Sequence, residues 1–437
     1  MTPELLSPAG SLRNMRYAFA YGADAVYAGQ PRYSLRVRNN EFKDLETLAT
    51  GINEAHNQGK QFYLASNISP HNDKIRSYLR DLEPVVELGP DALIMADPGL
   101  MMLVQERWPD LPIHLSVQAN AVNWASVKFW HRNGIRRVIL SRELSLNEIE
   151  EIRQRVPEME LEVFVHGALC IAYSGRCLLS GYMNHRDPNQ GACTNACRWQ
   201  YQAHEAKEDA TGDLIAVQNY EPQPQVEPVL LQQAQRPGEY MPAYEDEHGT
   251  YIMNSKDLRA VQHVQRLQEM GIHSLKIEGR TKSHYYVART AQVYRRAIDD
   301  AVAGREFDMG LMDELETLAN RGYTEGFYRR HPPKEYQNYE MGSSSAQQQQ
   351  FVAEVVDVSG SDIVVDVKNR FAVGDTVQLM TPQGNQRFTL NTLLDKNGKA
   401  ADVAPGSGHR MRIPLDGQLD EQALRYGLIV KDIHAGG

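Results

Sequence analysis

The chain has 437 residues, of which 42% are hydrophobic and 23% are charged, which is ordinary for a globular protein with a buried core. No apolar run approaches the roughly 20 residues of a membrane-spanning helix, so we expect no membrane segment. The formal charge of -10 excludes a generally basic surface, and a nucleic-acid partner would therefore need a local basic patch.

A repeated junction runs through the first 280 residues, where an amphipathic helix ends at a glycine and an apolar run follows. It occurs as AYGADAVYAG (20–29), ELGPDALIMADPG (87–99), RNGIRRVILSREL (132–144) and EMGIHSLKIEGR (269–280). The glycine supplies a left-handed helix cap, and the apolar run is typical of a buried parallel strand.

Eight such runs are predicted to be strands: Leu5–Ser7, Ala25–Ala28, Gln61–Asn67, Ala92–Ala96, Ile113–Gln118, Val138–Ser141, Leu161–Val165 and Ser274–Ile277. Helices are predicted between and after them: Leu12–Tyr21, Leu45–Gln58, Ile75–Leu88, Ala125–Asn133, Leu146–Val156, Asp257–Met270, Ser283–Gly304 and 311–320. Ser145 and Glu148 have the spacing of a capping box. Alternating strands and helices predict an α/β fold, a (β/α)8 TIM-like barrel over residues 1–335, with a doubly wound open sheet as the alternative.

The regular alternation of strands and helices stops after the seventh predicted strand, and roughly a hundred residues separate it from the eighth. We predict an insertion over residues 166–256 at the carboxyl end of strand seven, the face where barrel active sites lie. It contains every cysteine of the chain: Cys170, Cys177, Cys193 and Cys197.

The cysteines are predicted to bind metal. The chain begins MTPELLSPAG without a charged-then-apolar leader, so we expect a cytoplasmic protein, and clustered thiols in a reducing compartment are more often ligands or catalytic groups than disulfides. Only Cys193 and Cys197 have the short spacing of a zinc knuckle, whereas iron–sulfur clusters accept more varied spacings. The spacing favours an iron–sulfur cluster and leaves zinc or unliganded buried thiols open.

The last part of the chain changes character. Residues 336–350 are rich in Ser and Gln and are predicted to be a linker. Six short alternating runs within 351–437 predict a small β-barrel domain.

Polar residues follow the predicted barrel strands and define a candidate site at the barrel mouth. We predict catalytic roles for Asp97, His166 and Glu278, with a buried structural His166 as the alternative to a proton relay. The predicted substrate-binding residues are Arg36, Arg38, Asn67, Gln118, Arg142, Lys276 and Arg280. Guanidinium groups bind carboxylates in bidentate fashion, so a small dicarboxylate or an RNA phosphate suits this set. The alternative is salt bridging within the mouth, for example between Glu278 and Lys276.

The segment EVFVHGALC (162–170) followed by IAYSGRCLLS (171–180) resembles the signature of the collagenase-like peptidase family U-32. The similarity extends to LLSPAG near the start, YGADAVYAGQPRYSLRVRNN and LKIEGRTKSHYYVARTAQVYRRAIDD. At that detail the chain is similar to a bacterial subgroup that hydroxylates tRNA. The resemblance implies oxygen-independent, prephenate-dependent conversion of the wobble uridine in the anticodon loop to 5-hydroxyuridine, the first step towards 5-carboxymethoxyuridine. It also implies an iron–sulfur cluster, of the 4Fe-4S kind, held by the four cysteines.

Two other functions stay open from the sequence. A U-32-type peptidase would need a nucleophile or a metal site, and the chain has neither a His-Glu-x-x-His nor a Gly-x-Ser-x-Gly motif. A non-catalytic RNA-binding protein stabilised by zinc is the other alternative. For the hydroxylase, we predict that the barrel mouth takes the base, while residues 351–437 with Arg329 and Arg330 hold the RNA backbone.

Overall fold

The computed structural model of the protein describes residues 1–34, 41–168, 257–318, 320, 322–329, 349–360, 362–415 and 421–433, and the backbone of five short strands between 206 and 251. In this part of the chain, no helix is both long enough and apolar enough to cross a membrane.

Seven consecutive parallel strands form most of a barrel, and each pairs with the next one along the chain. They are β1 (Glu4–Pro8), β2 (Ala25–Gly29), β3 (Gln61–Ser66), β4 (Ala92–Met95), β5 (Ile113–Leu115), β6 (Arg137–Ile139) and β7 (Glu160–Ala168). Their residues are almost all buried, as expected for parallel strands covered by helices on the outside.

Six further strands are described between β7 and the strand that closes the barrel. Five lie within the inserted region: β8 (Ala206–Glu208), β9 (Leu214–Ala216), β10 (Val229–Gln232), β11 (Tyr240–Asp246) and β12 (Gly249–Tyr251). The sixth, β13 (Asp257–Arg259), runs antiparallel to the end of β7, with Asp257 opposite Ala168. The two ends of the inserted region therefore meet at one place.

The helix predicted over Asp257–Met270 is wrong in its first half. Asp257–Arg259 are strand β13, a 3-10 turn follows at Val261–His263, and the helix proper is Val264–Glu269. The physical reason is the length of β7, which extends past the predicted Val165 to Ala168. The polar backbone of that extension needs hydrogen-bond partners, and β13 supplies them.

The last barrel strand, β14 (Ser274–Ile277), pairs in parallel with both β1 and β7 and closes the barrel. This confirms the eight-stranded TIM-like barrel, and the open-sheet alternative is wrong. The register between β14 and β7 shifts after Lys276, so that Ile277 lies opposite His166. A short strand, β15 (Tyr323–Thr324), pairs with β13 at the side of the barrel.

The helices are α1 (Leu12–Ala20), α2 (Leu45–Asn57), α3 (Asn72–Val86), α4 (Pro98–Arg107), α5 (Trp124–Arg132), α6 (Leu146–Arg155), α7 (Val264–Glu269), α8 (His284–Val302), α9 (Gly310–Glu316) and α10 (Glu421–Leu424). The predicted capping box of α6 is present, because Ser145 and Glu148 each bond the backbone of the other. Helix α4 was not among the predicted helices, although Asp97 as its cap and Pro98 in its first turn are a strong start signal.

The C-terminal region is an antiparallel β-sheet domain with its own hydrophobic core, which confirms a second domain built mainly of strands after the barrel. Its strands are β16 (Gln349–Ser359), β17 (Asp362–Val367), β18 (Phe371–Ala372), β19 (Thr376–Thr381), β20 (Gly384–Thr389), β21 (Leu394–Asp395), β22 (Val403–Ala404), β23 (Arg410–Pro414) and β24 (Leu428–Asp432). Seven of them form one sheet in the order β20-β19-β24-β16-β17-β23-β21. The predicted linker 336–350 lies outside the described residues, apart from Gln349 and Gln350, which begin β16.

Candidate functional site

Charged side chains fill the interior of the barrel at the start of its strands. Arg137 of β6 lies 2.7 Å from Glu4 of β1, 3.1 Å from Glu160 and 3.3 Å from Glu162 of β7. Because β1 and β6 are not neighbours in the sheet, the contact between Glu4 and Arg137 crosses the barrel interior. Burial acts against the charge of Arg137, but Glu4 and Glu162 raise its pKa and keep it protonated.

Lys276 of β14 lies in the barrel interior, further along the strands towards the mouth than Arg137. Its ammonium lies 2.8 Å from the Glu162 carboxylate, and the side chains of Lys276 and Glu162 are 4% and 0% exposed. The ammonium also lies 4.3 Å from the centre of the Tyr27 ring and 5.5 Å from that of Phe164. Burial lowers the pKa of Lys276, while the neighbouring Glu162 acts to raise it. The sequence suggested Glu278 as a partner of Lys276, whereas Lys276 forms its ion pair with Glu162.

The mouth itself carries a second ion pair. Arg142, which follows β6, lies 3.8 Å from Glu278, which follows β14, and both side chains are mostly buried. Its guanidinium stacks over Phe164, 3.7 Å from the ring centre. A separation of 3.8 Å is too long for a hydrogen bond, so the Arg142 guanidinium keeps donors for a ligand.

Arg280 also lies near the ring of Tyr27. It donates a hydrogen bond of 3.0 Å to Ser34, and its guanidinium carbon lies 5.6 Å from the centre of the Tyr27 ring. The Tyr27 hydroxyl in turn lies 3.4 Å from the Glu278 carboxylate. A Cβ atom at Gly29 would come within 2.8 Å of Ser34 Oγ and 3.2 Å of Arg280 Nη1, so a glycine there lets Arg280 approach the strand.

Tyr27 and Phe164 thus bring together four residues that the sequence predicted: Arg142, Lys276, Glu278 and Arg280. Tyr27, Glu162, Phe164 and Ser34 also belong to the site, although they were not among the predicted residues. A signal existed for Glu162, because a carboxylate in the middle of a fully buried strand requires a cationic partner.

His166 lies in a box of aromatic rings. The ring centres of Tyr286, Tyr294 and Tyr323 are 5.8, 5.6 and 5.4 Å from that of the imidazole, and the Tyr294 hydroxyl is 3.4 Å from Nδ1. Among the described residues, Nε2 has no hydrogen-bond partner. Burial lowers the pKa of His166 to about 3, so the imidazole is neutral near pH 7.

The other predicted residues lie at the ends of β3, β4 and β5. The Asp97 carboxylate accepts a hydrogen bond of 2.9 Å from the backbone of Leu100 and caps α4, so it has a structural task at this position. Gln118 lies in a 3-10 turn and accepts a hydrogen bond of 3.1 Å from Ser116. Asn67 is buried directly after β3. Their predicted roles in catalysis or binding stay predictions.

Several predicted site residues fall outside the described part of the chain. They are Arg36 and Arg38 in the segment after β2, and Cys170, Cys177, Cys193 and Cys197 in the inserted region. Arg330 also falls outside it, whereas Arg329 is exposed and pairs with Glu325 at 3.1 Å. Within the described ranges, no group of three or more His, Cys, Asp or Glu side chains is arranged to hold a metal ion.

The site is therefore a barrel whose interior is lined with paired charges and whose mouth presents two arginines over aromatic rings. Such a mouth can bind an anion, because Arg142 and Arg280 are held in place by neighbours and are shielded from water. The same aromatic rings offer apolar surface on which a planar group can stack.

Two family models cover this architecture. The model for Peptidase family U32 matches residues 10–338, and the model for the Peptidase family U32 C-terminal domain matches residues 347–425. The chain belongs to peptidase family U32.

Several named proteins are similar to this chain. It is 64% identical to tRNA hydroxylation protein P of Escherichia coli, over 98% of this chain and 97% of that protein. It is 58% identical to the protein of the same name in Haemophilus influenzae, over 99% of this chain and 96% of that one. It is also 28% identical to a 23S rRNA 5-hydroxycytidine synthase of Escherichia coli, over 99% of this chain and 63% of that one.

Proposed function

We propose that this chain is an RNA-hydroxylating enzyme that converts the wobble uridine of tRNA to 5-hydroxyuridine, with prephenate or a related dicarboxylate as co-substrate. The observation that carries the proposal is the near full-length similarity to proteins named for tRNA hydroxylation, at up to 64% identity. The more distant relative named as an rRNA 5-hydroxycytidine synthase supports the same chemistry, hydroxylation of a pyrimidine base in RNA.

The barrel mouth suits both partners of this reaction. Arg142 and Arg280 offer guanidinium donors for the carboxylates of a dicarboxylate. A pyrimidine ring can stack on the aromatic surface of Phe164 or Tyr27, and an anticodon loop already presents its bases nearly unstacked. Glu278, between Arg142 and Tyr27, is placed to accept a proton from a group bound there.

The buried groups beneath the mouth hold these side chains in position. Glu162 fixes Lys276 under the rings of Tyr27 and Phe164, and those rings in turn support the arginines. The neutral imidazole of His166 can donate or accept one hydrogen bond through Nε2, depending on its tautomer. Cys170 follows His166 by four residues in the sequence, which puts this imidazole near the start of the proposed metal-binding segment.

Replacing the hydrogen on carbon 5 of uridine by a hydroxyl group is a two-electron oxidation, so the reaction needs a redox partner. We propose that Cys170, Cys177, Cys193 and Cys197 hold an iron–sulfur cluster, which supplies electron transfer when bound. The donor set fits, because four thiols in one segment are what such a cluster requires. The pairing of β13 with β7 holds the two ends of the inserted region, which contains the cysteines, next to each other at the barrel.

The test combines metal analysis with nucleoside analysis. Protein purified without oxygen should contain iron and acid-labile sulfide, and Cys170→Ser should lose both while the barrel stays folded by circular dichroism. Total tRNA from a deletion strain should lack the 5-hydroxyuridine-derived nucleosides, and the wild-type gene should restore them while Cys170→Ser should not.

Stoichiometric zinc without iron would support a zinc-stabilised RNA-binding protein instead. Full tRNA hydroxylation in the deletion strain would refute the proposed enzyme, and cleavage of a peptide library by the purified protein would favour a peptidase. A Glu54→Gln variant serves as the control, because Glu54 pairs with Arg16 on the outer surface of the barrel.

A further inference from the structure

One exposed helix face is basic and aromatic on an otherwise acidic protein. The chain carries 56 acidic residues, yet there is no Asp or Glu between Asp110 and Glu143. The same stretch contains five Lys and Arg residues: Lys128, Arg132, Arg136, Arg137 and Arg142. Helix α5 lies in the middle of this stretch and has only basic residues among its charged groups.

The five cations do not share the same environment. Arg137 and Arg142 point into the barrel and pair with carboxylates there, and Arg136 pairs with Glu160 at 2.7 Å. By contrast, Lys128 and Arg132 have no ion pair with any residue in the described ranges, and Arg132 is exposed. Their positive charge is therefore available to a partner.

Exposed aromatic residues accompany these two cations. Trp124 is 37% exposed and Phe129 is 57% exposed, which is unusual for such large apolar side chains. Trp124, Lys128 and Arg132 follow one another at four-residue spacing and so share one face of α5. Arg155 of α6 stacks over Trp124, with its guanidinium carbon 5.0 Å from the ring centre.

We propose that the surface formed by Trp124, Lys128 and Arg132, with Phe129 beside Arg132 at three-residue spacing, binds the RNA substrate outside the barrel mouth. Flat rings that stack on bases, beside cations that neutralise phosphates, are the two elements of single-stranded nucleic-acid recognition. The proposal rests on the proposed function and names the part of the surface that holds the RNA. It also supplies the local basic patch that an RNA partner requires on a chain of net charge -10.

Charge argues against a second copy of this chain as the occupant. Most dimers are two-fold symmetric, so each face would meet an identical face carrying Lys128 and Arg132. Like charges brought together in that way oppose association. This surface also begins close to the candidate site along the chain. Helix α5 follows the segment 116–123, which carries Gln118 after the end of β5.

The experiment measures binding of an unmodified tRNA transcript to the full-length protein over a series of salt concentrations. The double variant Lys128→Gln with Arg132→Gln should bind about tenfold more weakly, and the slope of log affinity against log salt should fall by roughly 1.4 to 1.8. Phe129→Ala should weaken binding at least about fivefold by removing a stacking surface.

Matched controls come from helices with mixed charge. Arg76→Gln with Arg80→Gln removes the same charge at the same spacing from α3, which also carries Asp73 and Asp81, and should change binding less than about twofold. Met309→Ala removes a comparably exposed apolar side chain and should have no effect.

Three outcomes would refute the proposal that this surface binds RNA. The α5 double variant could bind as wild type does, both double variants could lose affinity equally, or Phe129→Ala could convert a wild-type dimer to a monomer in light scattering. Wild-type protein that neither binds nor hydroxylates tRNA would refute the proposed function and this surface together. Wild-type protein that does both, with an unaffected α5 double variant, would refute the surface alone.

Discussion

The ammonium group of Lys276 lies 2.8 Å from the carboxylate of Glu162 in the interior of the barrel, where both side chains are almost fully buried. The same carboxylate lies 3.3 Å from Arg137. One glutamate thus links the charges at the start of the strands to those near the mouth. Lys276 depends on Glu162 for stabilisation of its buried charge, whereas Arg137 shares Glu162 with Glu4 and Glu160.

Replacing Glu162 by Gln should therefore destabilise the fold strongly. The change leaves Lys276 and Arg137 short of a buried negative charge, and breaking a buried pair in this way costs about 3 to 5 kcal/mol. Urea unfolding followed by circular dichroism measures the change. Glu150→Gln is the matched control, because Glu150 pairs with Arg266 at 3.0 Å on the surface and should contribute less than about 1 kcal/mol. Equal unfolding midpoints for the two variants would contradict the prediction.

Glu278→Gln should affect activity rather than stability. The substitution keeps the shape of the side chain but removes the carboxylate 3.8 Å from Arg142, and with it a proton acceptor at the mouth. We expect hydroxylation of tRNA to fall by roughly a hundredfold in kcat/KM, the usual range for loss of a general acid or base. Single-turnover assays with purified tRNA test this, and unchanged rates would remove Glu278 from the proposed mechanism.

His166 should make stability depend on pH. Burial lowers its pKa to about 3 in the folded protein, whereas the unfolded value is near 6.5. Between these values the unfolded chain binds a proton that the folded chain excludes, so stability is complete above pH 6.5 and falls as the pH drops. One such histidine accounts for about 2 kcal/mol between pH 6.5 and pH 5.

His166→Phe should remove that share of the acid sensitivity, because phenylalanine fits among Tyr286, Tyr294 and Tyr323 and does not titrate. Urea unfolding of variant and wild type at the two pH values gives the difference. His409→Phe, at an exposed position, is the control and should keep the wild-type pH dependence. A His166→Phe variant as acid-sensitive as wild type would show that another group is responsible.

Arg289 should couple the two domains. It is 1% exposed on α8, and it contacts Glu314 at 3.1 Å and Gln378 of the C-terminal domain at 2.6 Å. Arg289→Met keeps an unbranched apolar stem but removes the guanidinium and leaves both acceptors without this donor, at a cost of about 1.5 to 3 kcal/mol.

We expect faster separation of the two domains of the Arg289→Met variant in limited proteolysis. Arg296→Met is the control, since Arg296 pairs with Asp308 at 2.7 Å and is 54% exposed. If both variants are cleaved at the wild-type rate, the guanidinium of Arg289 does not hold the domains together.

The barrel could be read from the sequence because its signals are local. The strands are short apolar runs, several of which follow a helix-ending glycine, and Ser145 with Glu148 marks a helix start within four residues. The same local reading failed at Asp257–Arg259, whose pairing is decided by the end of β7, which is far away in sequence. The sequence did predict Arg142, Glu278 and Arg280 at the mouth, because polar residues directly after a buried apolar strand are easily recognised in a sequence.

The sequence by itself determined the order of the strands, the mainly β character of the C-terminal domain and the residue types at the barrel mouth. Only the tertiary structure decided the partners: Lys276 with Glu162, Arg142 with Glu278, and both Lys276 and Arg280 with the ring of Tyr27. The physical reason is closure of the barrel. Strand β14 pairs with both β1 and β7, so side chains more than a hundred residues apart in the chain meet in the interior, and charges out of water bind the nearest opposite charge.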